Sequence, residues 1–162
     1  MIRIQKYAKV FCFFFYRELT DFLNTKKFQI SQYILLIKIL LLVILQVLEG
    51  DNATCLRKGI HSTIDSYSAF WDNGHLSQTE LFVQLIDRDI TTVFACGLAT
   101  DFCVAYTAFD SCTHGFQTFV IDDACRGVCD ESIEGMKTKE KRNGIKIIES
   151  SEIDSILKTN EI

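Results

Sequence analysis

From residue 51 onward, short apolar runs rich in β-branched and aromatic residues alternate with segments of helical period, separated by small turn residues. Strands alternating with helices build a parallel sheet whose two faces the helices cover, so few other architectures stay open. Thr91-Thr-Val-Phe-Ala-Cys96 reads as a strand followed by Gly97, then a helix from Asp101 to about Thr113 stopped by Gly115. Gln117–Ile121 is the next strand, Asp130–Lys141 a helix closed by Asn143-Gly144, and Ile145–Ile148 a last strand before a short helix around Glu152–Leu157. Upstream, Ala53–Arg57 is a candidate strand ending at Lys58-Gly59. Ser77-Gln-Thr-Glu80 has the capping-box pattern, which would start a helix through about Arg88 with Leu81, Leu85 and Phe82 on its buried side. The expected fold class is α/β, three layers around a mostly parallel sheet.

The first 49 residues read differently. They hold neither Gly nor Pro, and up to Gly50 there are 7 Lys/Arg against 3 Asp/Glu, whereas the remainder has 10 against 18. The whole chain lacks proline, where average usage of ~5% predicts about eight. The run Tyr33–Leu48 is 16 residues long with Lys38 inside it, shorter than the ~20 apolar residues of a membrane-spanning helix. It also lies too far from Met1 for an ordinary cleaved secretory signal. These features favour a buried helix or a stretch foreign to the domain, with a membrane anchor through 33–48 as the alternative. Phe11-Cys-Phe-Phe-Phe15 has no clean helical or strand period. The expected organisation is a divergent hydrophobic segment, 1–49, and a folded domain, 50–162.

Composition narrows the function classes. With 48% apolar residues and 13 Phe the chain is not disordered, and its net charge of -4 lacks the basic face of a nucleic-acid binder. Seven cysteines without closely spaced zinc-type pairs imply free thiols in a reducing compartment, hence a cytoplasmic protein.

Ligands of open parallel sheets bind beyond the carboxyl ends of the strands. There the sequence places Cys96-Gly-Leu-Ala-Thr-Asp-Phe-Cys103-Val104, a strand, a tight turn and the first turn of a helix. Unpaired amides and the helix dipole favour negative charge at such a position, which lowers a thiol's pKa and makes Cys103 a candidate nucleophile. The amides of Ala99 and Cys103 could face the oxygen of a carbonyl under attack. The same position also suits an inert buried thiol, since free cysteine is among the most buried residue types. Lys58 is either a solvated surface lysine or, at the same sheet edge, a cation that holds a thiolate. Asp65-Ser-Tyr67-Ser-Ala-Phe70-Trp71 gathers aromatics that suit either a satellite of the core or an apolar wall for a flat ligand. Asp122-Asp123-Ala-Cys-Arg126-Gly127 is accounted for by a structural pairing of Arg126 with a carboxylate.

Jointly, Lys58-Gly59, Asp65-Ser-Tyr-Ser-Ala-Phe70, Gly97-Leu-Ala-Thr-Asp-Phe-Cys103-Val and Asp123-Ala-Cys-Arg-Gly127 form a recognisable series in order and spacing. From about Gly50 to Ser150 the chain resembles nicotinamidases of the isochorismatase-like cysteine hydrolase family. The resemblance implies that family's three-layer α/β/α fold, incomplete here on the N-terminal side. It also implies hydrolysis of nicotinamide to nicotinate and ammonia through a cysteine thioester, in pyridine nucleotide salvage. By the resemblance Cys103 is the nucleophile and Lys58 the triad lysine beside it. The amides of Ala99 and Cys103 form the oxyanion hole, the Leu98–Ala99 bond is cis, and Leu98, Tyr67 and Phe102 meet the pyridine ring. The partner implied is a small molecule, with no nucleic acid and no membrane.

The family also uses a base Asp on its first strand and a zinc-like divalent metal held by an Asp and histidines upstream of the Lys-Gly. Residues 1–49 contain no histidine, and their only aspartate, Asp21 in Leu19-Thr-Asp-Phe22, does not read as the end of a buried strand. His61, His75 and His114 lack the clustered spacing of a metal site. No metal ligand is therefore assigned. The alternative function is a catalytically impaired or binding relative without base and metal. Missing strands would expose apolar sheet faces, which the first 49 residues must cover unless the chain forms a homo-oligomer.

Overall fold

A computed structural model describes residues 6–12 and 56–159. Four strands, β1 (Lys6–Cys12), β2 (Ile90–Leu98), β3 (Gln117–Arg126) and β4 (Lys146–Ile148), form one sheet in the order β1-β2-β3-β4, each pair parallel. Thr92 through Cys96 on β2 and Thr118 through Ile121 on β3 are buried without alternation, the mark of a parallel sheet covered on both faces. Phe94 opposes Phe119 in the register, and their rings stack with centroids 5.0 Å apart. Each is fully or nearly fully buried, and removing such a ring from water stabilises a fold by about 1.5–3 kcal/mol.

The helices are α1 (Leu81–Asp87), α2 (Ala105–Thr113), α3 (Asp130–Arg142) and α4 (Ile153–Thr159). Gly115 and Gly144, at φ 88° and 80°, turn the chain out of α2 and α3, as expected of left-handed residues after a helix. On α1, Leu85 is buried and Leu81 and Phe82 pack against the core, the three residues its period marked.

Several expectations need correction. Leu56 and Arg57 lie in irregular chain, not in a strand, while 53–55 and the run 33–48 fall outside the described residues. Ser77 does not cap α1: Glu80 holds the cap position without a side-chain bond, and the Leu81 amide donates instead to Thr79 Oγ1 at 3.1 Å. Asp72 takes Ser77 out of play, because its carboxylate accepts from the amides of Gly74, Leu76 and Ser77 at 2.9, 2.9 and 2.7 Å. Those amides, that of Leu76 foremost, hold the Asp72 carboxyl below its ordinary range. The helix expected from Asp101 begins as a five-residue π-helical turn, Thr100–Val104. β3 runs on through Arg126, and Arg126 donates to the carbonyls of Asp123 and Cys125, not to a carboxylate. The carboxylates have other partners: Asp122 pairs with Lys137 at 2.8 Å, and Asp123 accepts from Ser150 Oγ and N at 2.5 and 2.9 Å. β1 was not foreseen, since Lys6-Tyr-Ala-Lys-Val-Phe-Cys12 mixes charge and bulk without a clean alternation.

Glu140 on α3 is fully buried, and neither carboxylate oxygen has a hydrogen-bond partner. Burial pushes its carboxyl up to about 7. Among the described residues no helix is long and apolar enough to cross a membrane.

Candidate active site

β2 stays paired with β3 through Leu98, and the chain then enters the π-helical turn through a cis peptide between Leu98 and Ala99. The register slips between Ala95 and Gly97, so Gly97 comes opposite Cys125. The Ala99 carbonyl accepts from the amides of both Phe102 and Val104 at 3.1 Å, which tightens the turn and carries Cys103 at its fourth position. Cys103, Thr107 and Ser111 follow at four-residue intervals on one face of the helix, and all three are fully buried. Small polar groups on that face have work to do: Thr107 Oγ1 accepts from the Ala69 amide at 2.9 Å, and Ser111 Oγ meets Thr118 Oγ1 at 2.8 Å.

The loop so anchored carries the lysine's partners. Lys58 Nζ donates to the carbonyls of Ser66 and Tyr67 at 2.5 and 2.6 Å, and lies 3.4 Å from Cys103 Sγ. Lys58 and Cys103, 45 residues apart in sequence, thus share one site. An ammonium beside a sulfur at the start of a helix favours the thiolate. Cys103 itself is 0% exposed.

Tyr67 stands between two aromatic neighbours, edge-on to Phe102 and to Tyr106 with centroids 5.4 Å away in both cases. Leu98 is 42% exposed beside the turn. Phe70 and Trp71, from the same aromatic loop, belong instead to the core: Phe70 is fully buried against Phe116, and Trp71 Nε1 donates to His114 Nε2 at 3.2 Å. The loop therefore divides, with Tyr67 at the site and the following aromatics in the packing.

The described residues do not supply a metal centre. They contain no group of three or more His, Cys, Asp or Glu able to hold an ion. His114 is engaged by Trp71 and stacked on Phe82, His61 meets Thr63, and His75 lies against the Trp71 ring. The described cysteines are free thiols, and burial pushes that of Cys125 up to about 12, which leaves it inert.

Sequence reasoning missed Ser66, whose carbonyl holds the lysine, and gave no role to Thr107 or Asp101. The four-residue repeat Cys103, Thr107, Ser111 was the available signal, because small polar residues on a buried helix face demand partners. Asp101 is 1% exposed, and its carboxylate accepts from the Val128 amide at 3.0 Å and from the Ser132 hydroxyl.

A model of the isochorismatase domain matches residues 59–152. The nicotinamidase of Acinetobacter baylyi is 48% identical over 73 residues, 45% of this chain and 34% of that protein. That of Escherichia coli is 45% identical over 76 residues, 47% of this chain and 36% of that protein. The chain thus spans about a third of the length of these curated relatives. Among solved structures, a nicotinamidase/pyrazinamidase of Acinetobacter baumanii superposes with a TM-score of 0.61 at 42% identity, over 65% of this chain and 52% of that one. The yeast nicotinamidase bound to the inhibitor nicotinaldehyde gives a TM-score of 0.63 at 25% identity, over 66% and 50%. A pyrazinamidase of Pyrococcus horikoshii in complex with zinc gives 0.55 at 30% identity, over 62% and 52%.

Proposed function

Because the chain belongs to the isochorismatase family, we propose that it is a nicotinamidase-type amide hydrolase working through Cys103. The observation that carries the reading is the 3.4 Å approach of Lys58 Nζ to Cys103 Sγ, beside the turn that follows the Leu98–Ala99 bond. The similarity to nicotinamidases over residues of this same region supports it.

Lys58 holds the sulfur as thiolate, and the thiolate attacks the carboxamide carbon of nicotinamide. A C–S bond forms and the carbonyl oxygen becomes an oxyanion, which the amides of Ala99 and Cys103 stabilise. The C–N bond then breaks, and the nitrogen leaves as ammonia after taking a proton from water, which replaces the one the thiol released to solvent. Water splits the thioester to nicotinate and restores the thiol. Tyr67, Phe102 and Leu98 form the apolar side against which the ring rests. Deacylation needs a general base, a contribution typically worth about 10²–10⁴-fold. Among the described residues no group of three or more His, Cys, Asp or Glu fits a divalent ion.

Residues 50–162 form the hydrolase domain and 1–49 a divergent segment that contributes β1. The free thiols suit the cytoplasm.

Ammonia release from nicotinamide tests the reading, with Cys103→Ala as control. Turnover abolished by the substitution is expected; turnover that survives it removes Cys103 from the chemistry. The complete burial of Cys103 favours a second reading, a relative that binds the ring without hydrolysis. Saturable nicotinamide binding with no ammonia from the unsubstituted chain selects that reading.

A further inference from the structure

We infer that Asp101 is a positioning residue that sets the reactivity of Cys103 by clamping its turn to the β3–α3 corner. The inference rests on the hydrolase reading for its purpose, but its evidence is separate geometry. Two residues before Cys103, the Asp101 side chain reaches across to the chain between β3 and α3 and to α3 itself. Oδ1 takes the Val128 amide at 3.0 Å, and Oδ2 takes the hydroxyl of Ser132 in the first turn of α3. The buried carboxylate thus ties the start of its own helix to the start of α3.

The corner is shaped to receive it. A Cβ added to Gly127 would lie 2.8 Å from Asp101 Oδ1 and 2.5 Å from Ile133 Cγ1, closer than real Cβ atoms approach their neighbours. Gly127 thus lets the corner close on the carboxylate. Locally the turn is held by the Phe102 and Val104 amides on the Ala99 carbonyl and by the Ala105 amide on the carbonyls of Thr100 and Phe102. A π-helical start is an uncommon geometry and needs support from outside. Asp101 supplies that support on the side facing α3, as Lys58 does on the side facing the loop.

Two substitutions separate the clamp from the charge. Asp101→Asn and Asp101→Ala both remove the negative charge, but Asn keeps a carbonyl for Val128 and an amide that can donate to Ser132. Ser132 would then turn its hydroxyl to the Cys129 carbonyl, already 3.3 Å away. The experiment measures iodoacetamide alkylation of Cys103 against pH by peptide mass spectrometry, with Cys112 as reference on the same helix. At pH 7 Asp101→Ala should react about tenfold more slowly at Cys103 than Asp101→Asn, the effect of a thiol pKa one unit higher, with Cys112 unchanged. Ser132→Ala, which keeps the charge and the Val128 bond, should show a smaller loss than Asp101→Ala and serves if that variant does not fold. Equal Cys103 profiles for Asp101→Ala and Asp101→Asn overturn the inference, as does a Ser132→Ala profile like the parent's or a parent Cys103 that no pH makes reactive. Ammonia release is scored separately: a clamp effect without turnover leaves the inference standing and removes the hydrolase reading, and the reverse result does the opposite.

Discussion

Two regions of the molecule bury charge, and they treat it in opposite ways. Around Cys103 each buried or half-buried charge has partners: Lys58 between two carbonyls and a sulfur, Asp101 between an amide and a hydroxyl, Asp72 among three amides. At the carboxyl end of α3, Glu140 is equally buried and neither oxygen has a hydrogen bond. A desolvated charge costs free energy unless hydrogen bonds replace its water, so the first region is organised at small net cost and the second carries a penalty. The difference separates charge that the fold uses from charge that it only tolerates.

Lys58→Ala should make the largest difference, since it removes the cation from the organised region and leaves the Ser66 and Tyr67 carbonyls without their donor. Nicotinamide turnover should fall about 100-fold or more, read as ammonia release under saturating substrate. Lys58→Ala with unchanged turnover would break the contrast, for the region would then be ordered without purpose. Gly127→Ala attacks the same region sterically and should lower stability by about 1–3 kcal/mol in urea unfolding, the cost of forcing a methyl into a packed corner.

The unpartnered region responds with the opposite sign. The Glu140 carboxyl stands at about 7 in the folded chain against 4.5 ordinarily, so protonation stabilises the fold. That contribution is complete below about pH 4.5 and is lost as pH rises through 7. Glu140→Leu should therefore be more stable than the parent by on the order of 2 kcal/mol at pH 8, with the gap shrinking toward pH 4.5. A parent chain as stable as Glu140→Leu at pH 8 would mean that Glu140 finds partners and that the contrast is overstated. Asp72→Asn gives the smallest effect and the reverse sign. The Asp72 carboxyl is held low, so its contribution is present at neutral pH and lost only on acidification below its ordinary value of 3.8. The acid limb of the thermal stability curve should flatten in the variant.

Much of the sheet was legible because β2 and β3 are continuous β-branched and aromatic runs, and α2 and α3 end at glycines whose positive φ the turns require. β1 was not legible, since its place depends on pairing with β2 and not on its own pattern. The capping box misled because Ser77 was claimed by Asp72, a competition that spacing alone does not reveal. At the site, the helix start marked Cys103, but nothing in local sequence ties Lys58 to it across 45 residues. The resemblance of four motifs implies that pairing, and in the fold the two groups lie 3.4 Å apart. Asp101 escaped because its partners, Val128 and Ser132, come from a different crossover of the sheet.

On the proposed reading the Cys103 sulfur, held by Lys58, takes an acyl group from an aromatic amide. Incubation with nicotinamide, acid quench and peptide mapping read this directly. A nicotinoyl group on the Cys103 peptide, absent when Lys58 is replaced by Ala, is the predicted result. A chain whose Cys103 stays unmodified through the reaction while ammonia is still released would contradict it.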